Sequence, residues 1–224
     1  NSIGGIIIDG GNFNWTQFPK RQPLFNEPEP SYWNWVLGKV VPEVLGANIA
    51  FAVRCRFVLL RDFGSCLSPV NAFNIIQGLE TLPLRFKQHQ NNAMDVANFL
   101  KKHDAVSKVI YPSFHEGTYK ERVNKYLKDG HGPLVGFELK AGVESGKIFI
   151  NNLKLLYHVA NIGDCRSLAI HPASTTHSQL SEEDQLKTGV TPGYIRLSVG
   201  IENIEDILFD INQALECTIS KIKM

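Results

Sequence analysis

The apolar positions of this chain change texture near its middle. Beyond residue 105, short runs of period two alternate with longer runs of period near 3.6. Residues 134–139 alternate as a half-buried strand, and residues 106–111, 167–171 and 194–199 read as three more. Helices are predicted between and after them, over 119–127, 145–153 and 203–221. The last carries Ile204, Ile207, Leu208, Ile211 and Leu215 on one stripe. Short strands backed by such helices make an α/β domain.

The earlier part reads differently. Residues 3–9 form an almost unbroken apolar run, the character of a strand buried on both faces. Residues 12–42 are rich in aromatics and prolines and keep neither period, which predicts an ordered flap rather than disorder. A helix is expected over 48–63, stopped by Gly64. A second opens at Ser68-Pro69 and runs towards Leu100, with a break at Leu82-Pro83. One strand cannot make a sheet, so residues 3–9 raise the expectation that the chain is the tail of a longer protein. The parts are expected to be 1–68, the end of a larger domain; 69–105, connecting helices; and 106–224, a small α/β domain.

Composition narrows the classes. The 224 residues are 43% hydrophobic and 20% charged, with a net charge of +1, as in ordinary globular proteins. Basic residues are scattered and matched by acids, which argues against a nucleic-acid partner. No apolar run approaches the roughly 20 residues that span a membrane. Cys55, Cys66, Cys165 and Cys217 make no C-x-x-C pair and read as free thiols of a reducing cytoplasm.

Self-contained catalytic signatures are missing. There is no G-x-S-x-G elbow, no Walker loop and no G-x-G-x-x-G. His171 and His177 stand six apart around Pro172, not at the helical spacing of a zinc pair, so no metal is expected. Two stretches remain. His171-Pro-Ala-Ser-Thr-Thr-His177 crowds hydroxyls after a strand, either as a polar turn or as a lining for a polar ligand. In Gly193-Tyr-Ile-Arg-Leu-Ser-Val-Gly200, Arg196 interrupts an alternating apolar strand and shares a face with Ser198. A guanidinium placed there needs an anion, either a structural carboxylate or a ligand.

Several stretches in order carry a resemblance. They are Arg61-Asp-Phe-Gly64, Ser68-Pro-Val-Asn-Ala-Phe73, Gln77-Gly-Leu-Glu-Thr-Leu-Pro-Leu-Arg85, His171-Pro-Ala-Ser-Thr-Thr-His-Ser-Gln-Leu180 and Arg196-Leu-Ser-Val-Gly-Ile-Glu202. Together they closely resemble the Cys/Met-metabolism enzymes that depend on pyridoxal 5'-phosphate (PLP), over the whole chain. The histidine-bounded stretch and the aromatic insertion look most like the branch that acts as O-acetylhomoserine sulfhydrylases. Methionine γ-lyases and cystathionine γ-synthases of the same family are the alternative. A non-catalytic association domain is the alternative of another class.

The resemblance implies a fold-type I PLP-dependent transferase, of which this chain is the end of the large domain and the small C-terminal domain. It implies replacement of acetate by sulfide or a thiol at the γ-carbon of an amino acid, giving homocysteine or methionine in a biosynthetic role. It also implies a homotetramer. The Schiff-base Lys of such enzymes would fall just before residue 1, so this chain alone is expected to be inactive, with no catalytic and no cofactor-binding residue of its own. Its partners would be the N-terminal part of the same protein, the amino-acid substrate and the thiol. By resemblance Arg196 grips the substrate α-carboxylate, Asn161 meets the same carboxylate through its side chain or backbone, and Thr176 either lines that pocket or braces its loop.

Overall fold

A computed structural model describes residues 2–222. The chain forms two compact units, Asn1–Glu80 and Thr81–Met224.

The first unit is helical. The aromatic stretch holds α1 (Pro23–Asn26), a 3-10 turn (Pro30–Tyr32) and α2 (Leu37–Leu45). Their small core is Phe25, Leu37, Val41 and Ala50, with the Trp15 ring 4.1 Å from that of Phe25. Gly38 is required there by close approach, since a Cβ would lie 2.7 Å from the Phe25 carbonyl. The helix expected over 48–63 is present as α3 (Ala50–Arg54), a π-helical turn (Cys55–Leu60) and α4 (Arg61–Phe63), ended by Gly64 in the left-handed region at φ 65°. Then comes α5 (Pro69–Glu80).

Residues 3–9 are not a strand. They carry no regular structure, and Ile3, Ile6 and Ile8 are 89%, 84% and 82% exposed. A strand exists only through ladder bonds to a neighbour, and among the described residues this unit has no sheet to supply one. Asp9 instead accepts from the Gly11 and Ala52 amides, at 3.1 and 3.2 Å, and joins the run to the start of α3.

The second unit starts with α6 (Leu82–Lys101), separated from α5 by Thr81 alone. Pro83 stands in its first turn, where the missing N–H has no partner to lose. There follow β1 (Val106–Ile110), α7 (Gly117–Tyr126), β2 (Leu134–Leu139), α8 (Gly142–Asn152), β3 (Tyr157–His158), β4 (Leu168–Ile170), α9 (Glu182–Lys187), β5 (Tyr194–Ser198) and α10 (Ile204–Ile222). The sheet order is β1-β2-β5-β4-β3, antiparallel except for the parallel pair β3–β4.

Register fixes two faces. Phe137 opposes Ile195, and Val135 and Ala169 oppose Leu197. These side chains form the core with Val96 and Leu100 of α6, Phe149 of α8, and Ile207, Ile211 and Leu215 of α10. The Phe137 and Phe149 rings meet edge to face at 5.5 Å. By the pleat, Gly136, Tyr194, Arg196, Ser198 and Ile170 belong to the opposite face.

His171, just beyond β4, is 1% exposed and fully bonded. Its Nε2 donates to the Pro192 carbonyl at 2.8 Å, since a carbonyl can only accept, and Nδ1 then accepts from the Ser174 hydroxyl at 2.8 Å. Gly146 of α8 lies on the ring, where a Cβ would be 2.5 Å from Nε2. Burial pushes the His171 pKa below its ordinary 6.5, helped by the charges of Lys147 and His158 and opposed by the Pro192 bond. The unfolded chain therefore binds a proton that the folded one resists. Stability is fully present above pH 6.5 and falls as pH drops from there through the folded pKa. The limiting slope is about 1.4 kcal/mol per pH unit. Urea midpoints between pH 7.5 and 5 should show this loss, and His171→Gln should remove it; an unchanged slope would place the titration elsewhere.

Candidate functional site

Arg196 stands on β5, an inner strand, opposite Gly136 of β2 and Ile170 of β4. Its strand neighbours Ile195 and Leu197 are fully buried in the core, so the backbone beneath the guanidinium is fixed on both sides. The guanidinium itself is poorly satisfied. Its Nε is buried without a hydrogen-bond partner, and among the described residues its hydrogen bonding comes down to a long 3.5 Å approach of Nη2 to the Asn161 carbonyl. Among the described residues no carboxylate lies within ion-pair distance of it. A structural anion is thus not what this cation meets within the chain. A half-buried guanidinium whose Nε–H is buried and unpaired keeps an N–H edge that suits a bidentate anion.

The wall beside Arg196 is the loop after β3. Asn161 reaches Arg196 with its backbone oxygen, while its side chain faces solvent. Two residues on, the Gly163 amide donates to the Ser198 hydroxyl at 3.0 Å. Ser198 is 1% exposed and lies on the same strand face as Arg196. The loop ends at Ser167, whose amide and hydroxyl both donate to the Glu202 carboxylate, at 2.6 and 2.9 Å.

Tyr194 flanks Arg196 on the other side. Its ring lies against Gly136, where a Cβ would sit 2.8 Å from the Tyr194 hydroxyl. Burial raises the Tyr194 pKa, and the Arg196 charge partly offsets that rise. The neutral phenol is a polar neighbour for whatever Arg196 holds.

The three residues singled out from the sequence are therefore placed unequally. Arg196 and Asn161 are brought together. Thr176 is exposed in the turn after β4, and its hydroxyl meets the adjacent His177 Nδ1 at 3.0 Å. Ser198, Glu202 and Tyr194 were not singled out as site residues. For Ser198 the available signal was its shared face with Arg196; for Glu202 and Tyr194 no local pattern marks the role.

A family model of Cys/Met metabolism PLP-dependent enzymes matches residues 1–216. An O-acetyl-L-homoserine sulfhydrylase of Leptospira meyeri is 52% identical over 221 residues, which cover 96% of this chain and 49% of that protein. A homocysteine synthase of Schizosaccharomyces pombe is 45% identical, again over 96% of this chain and 49% of its own length. Among solved structures, an O-acetylhomoserine (thiol)-lyase of Campylobacter jejuni, with a pyridoxyl-lysine phosphate, superposes with a TM-score of 0.75. It is 41% identical and covers 88% of this chain and 45% of its own. The chain thus spans about half the length of the curated relatives it matches. The sequence series and the α/β architecture agree with these matches: the chain belongs to the Cys/Met metabolism PLP-dependent enzyme family.

Proposed function

We propose that this chain is the substrate-carboxylate half of an O-acetylhomoserine sulfhydrylase, which exchanges acetate for sulfide or a thiol at Cγ. The reading is carried by the unpartnered Nε of Arg196, held on a rigid inner strand, in a chain whose relatives are sulfhydrylases. Arg196 grips the α-carboxylate through Nε–H and a neighbouring N–H, which fixes two substrate oxygens in a plane. That plane orients the Cα–H bond, so the contribution is positional more than adhesive. The Asn161 carbonyl takes one Nη2 hydrogen and keeps the fork turned towards the substrate. Tyr194 adds a neutral wall, and Thr176 borders the same pocket or braces its loop.

The family depends on PLP, whose ring acts as an electron sink for the reacting carbon. No lysine among the described residues fits the cofactor's aldehyde. Every described lysine is exposed, none in a desolvated pocket, so none offers a poised amine. The residues here fit the amino-acid carboxylate, and the cofactor contacts belong to the rest of the protein. We accordingly read the chain as inactive on its own.

We further place the whole enzyme in the cytoplasm as a homotetramer. The unpaired thiols Cys55, Cys66, Cys165 and Cys217 suit a reducing compartment. The exposed apolar side chains of the first unit, such as Val70, Phe73 and Ile76, suit coverage by more protein. No helix among the described residues is long and apolar enough to cross a membrane.

The test is the full-length protein given O-acetylhomoserine with and without sulfide. Sulfide-dependent homocysteine formation is expected. Keto-acid release from methionine without a thiol requirement would replace the reading with a γ-lyase.

A further inference from the structure

Arg196 is fixed by its strand, but the wall it faces is a loop, and few groups hold that loop. Between β3 and β4 the segment 159–167 is almost wholly exposed. An exposed nine-residue excursion has no core of its own to order it. Its attachments are therefore countable. Gly163 N–H donates to Ser198 Oγ at 3.0 Å. Ser167 is gripped twice by Glu202, at 2.6 and 2.9 Å, and its hydroxyl also accepts from the Gly200 amide at 2.8 Å. The Cys165 carbonyl accepts from the Ile201 amide at 2.9 Å, and the Ser167 carbonyl from the Tyr157 amide of β3 at 3.0 Å.

The segment that provides these anchors is itself pinned from α6. His89 Nδ1 meets the Val199 carbonyl at 2.6 Å. The Asn92 amide donates to the carbonyls of Gly200 and Glu202, at 3.0 and 2.9 Å. His89 and Asn92 are each 2% exposed, so the brace is dry. Gly200 allows the close seating, because a Cβ there would collide with the Cys165 carbonyl and the Glu202 carboxylate.

We propose that Ser198 and Glu202 are positioning residues for amino-acid substrate binding. They hold the 161–167 loop on β5, and so set where the Asn161 carbonyl stands against the Arg196 fork. This rests on the reading of Arg196 as the carboxylate ligand. Neither residue touches the reacting atoms. Loss of either frees the wall, lets the guanidinium sample other directions and weakens recognition of the carboxylate. On this reading the wall serves the amino acid alone, so thiol binding is untouched.

The experiment uses the full-length holoenzyme with Ser198→Ala, Glu202→Ala, Glu202→Gln and Arg196→Ala. Ser198→Ala should raise KM for the amino-acid substrate about tenfold, the worth of one net hydrogen bond, and Glu202→Ala, which removes two, by at least as much. The KM for sulfide should stay within about twofold, and kcat should fall less than KM rises. Glu202→Gln keeps an oxygen for the Ser167 amide and should recover most of the loss. Amide hydrogen exchange gives a readout independent of turnover: Gly163 should lose protection in Ser198→Ala while Ile195 and Leu197 keep theirs. Unchanged amino-acid KM in both alanine variants, or equal damage to both substrates, overturns the proposal. If Arg196→Ala is also without effect, the carboxylate reading itself has failed; if only Arg196→Ala is impaired, that reading stands and the loop-holding role is wrong.

Discussion

Arg196→Ala in the full-length protein should lower kcat/KM for the amino-acid substrate by about 10² to 10⁴-fold, the range for removing one partner of a desolvated charge pair. The size of the effect comes from the absence of any substitute. Lys108, which register places on the same face, stands two strands away and is paired with Glu138 at 3.8 Å, and the backbone around Arg196 belongs to a packed strand that cannot shift to compensate. Arg196→Lys should recover no more than about tenfold, because an ammonium is a point charge and cannot hold two carboxylate oxygens in one plane. The loss should fall on both kcat and KM for the amino acid, since the fork orients as well as binds, while the sulfide KM stays unchanged. Steady-state kinetics with each substrate varied separately reads this directly. Near-wild-type turnover in Arg196→Ala would remove the residue from the site.

The strands and terminal helix were legible because their environment repeats at the period of the element. Ile195 and Leu197 alternate with Arg196 and Ser198 on a sheet with one packed face, and the α10 stripe faces a single core. Elements whose stability is not periodic were hidden. In α2 the internal Pro42 reads as a breaker, yet the helix runs through it to Leu45 without the bond that its missing N–H would make. In α9 the signal was local but short, a Ser181 hydroxyl that accepts from the Asp184 amide at 3.2 Å. Residues 3–9 show the reverse error: an apolar run states what it would bury, not that a partner strand is at hand.

The site divides in the same way. Arg196 was visible as a charge in an apolar strand. The contact made by Asn161 was not, because it uses a carbonyl that every residue has. Ser198 and Glu202 reach partners 35 residues away in sequence, and nothing in a local pattern reports such a bond. Thr176 followed from its motif, but among the described residues its hydroxyl meets its chain neighbour His177.

Asp210→Ala should destabilise the second unit by about 3–5 kcal/mol, the largest stability effect expected here from loss of a single buried polar side chain. Asp210 lies on the buried stripe of α10, 3% exposed, between Ile207 and Ala214. A carboxylate there violates the helix pattern and persists only because its lone pairs are taken. Oδ1 accepts from the Lys154 amide at 2.8 Å, and Oδ2 from the Leu155 and Leu156 amides at 2.8 and 3.0 Å. Gln213 braces it at 3.0 Å and ties the Asn152 carbonyl at 2.6 Å, so the chain leaving α8 is stapled to α10. Alanine leaves those three amides without an acceptor, the Leu156 bond fully buried and the other two partly so, and the penalty is that of unmade bonds rather than lost ones. Asp210→Asn should still cost about 2–3 kcal/mol, because its NH₂ confronts backbone donors and only one oxygen remains. The exposed Glu205→Ala on the same helix should change stability by less than about 0.5 kcal/mol. Native-state hydrogen exchange of the β5 amides in the full-length protein measures these differences as changes in opening free energy. A cost under about 1 kcal/mol for Asp210→Ala would mean that water reaches the three amides, and that the α8–β3 connection is not held by this carboxylate.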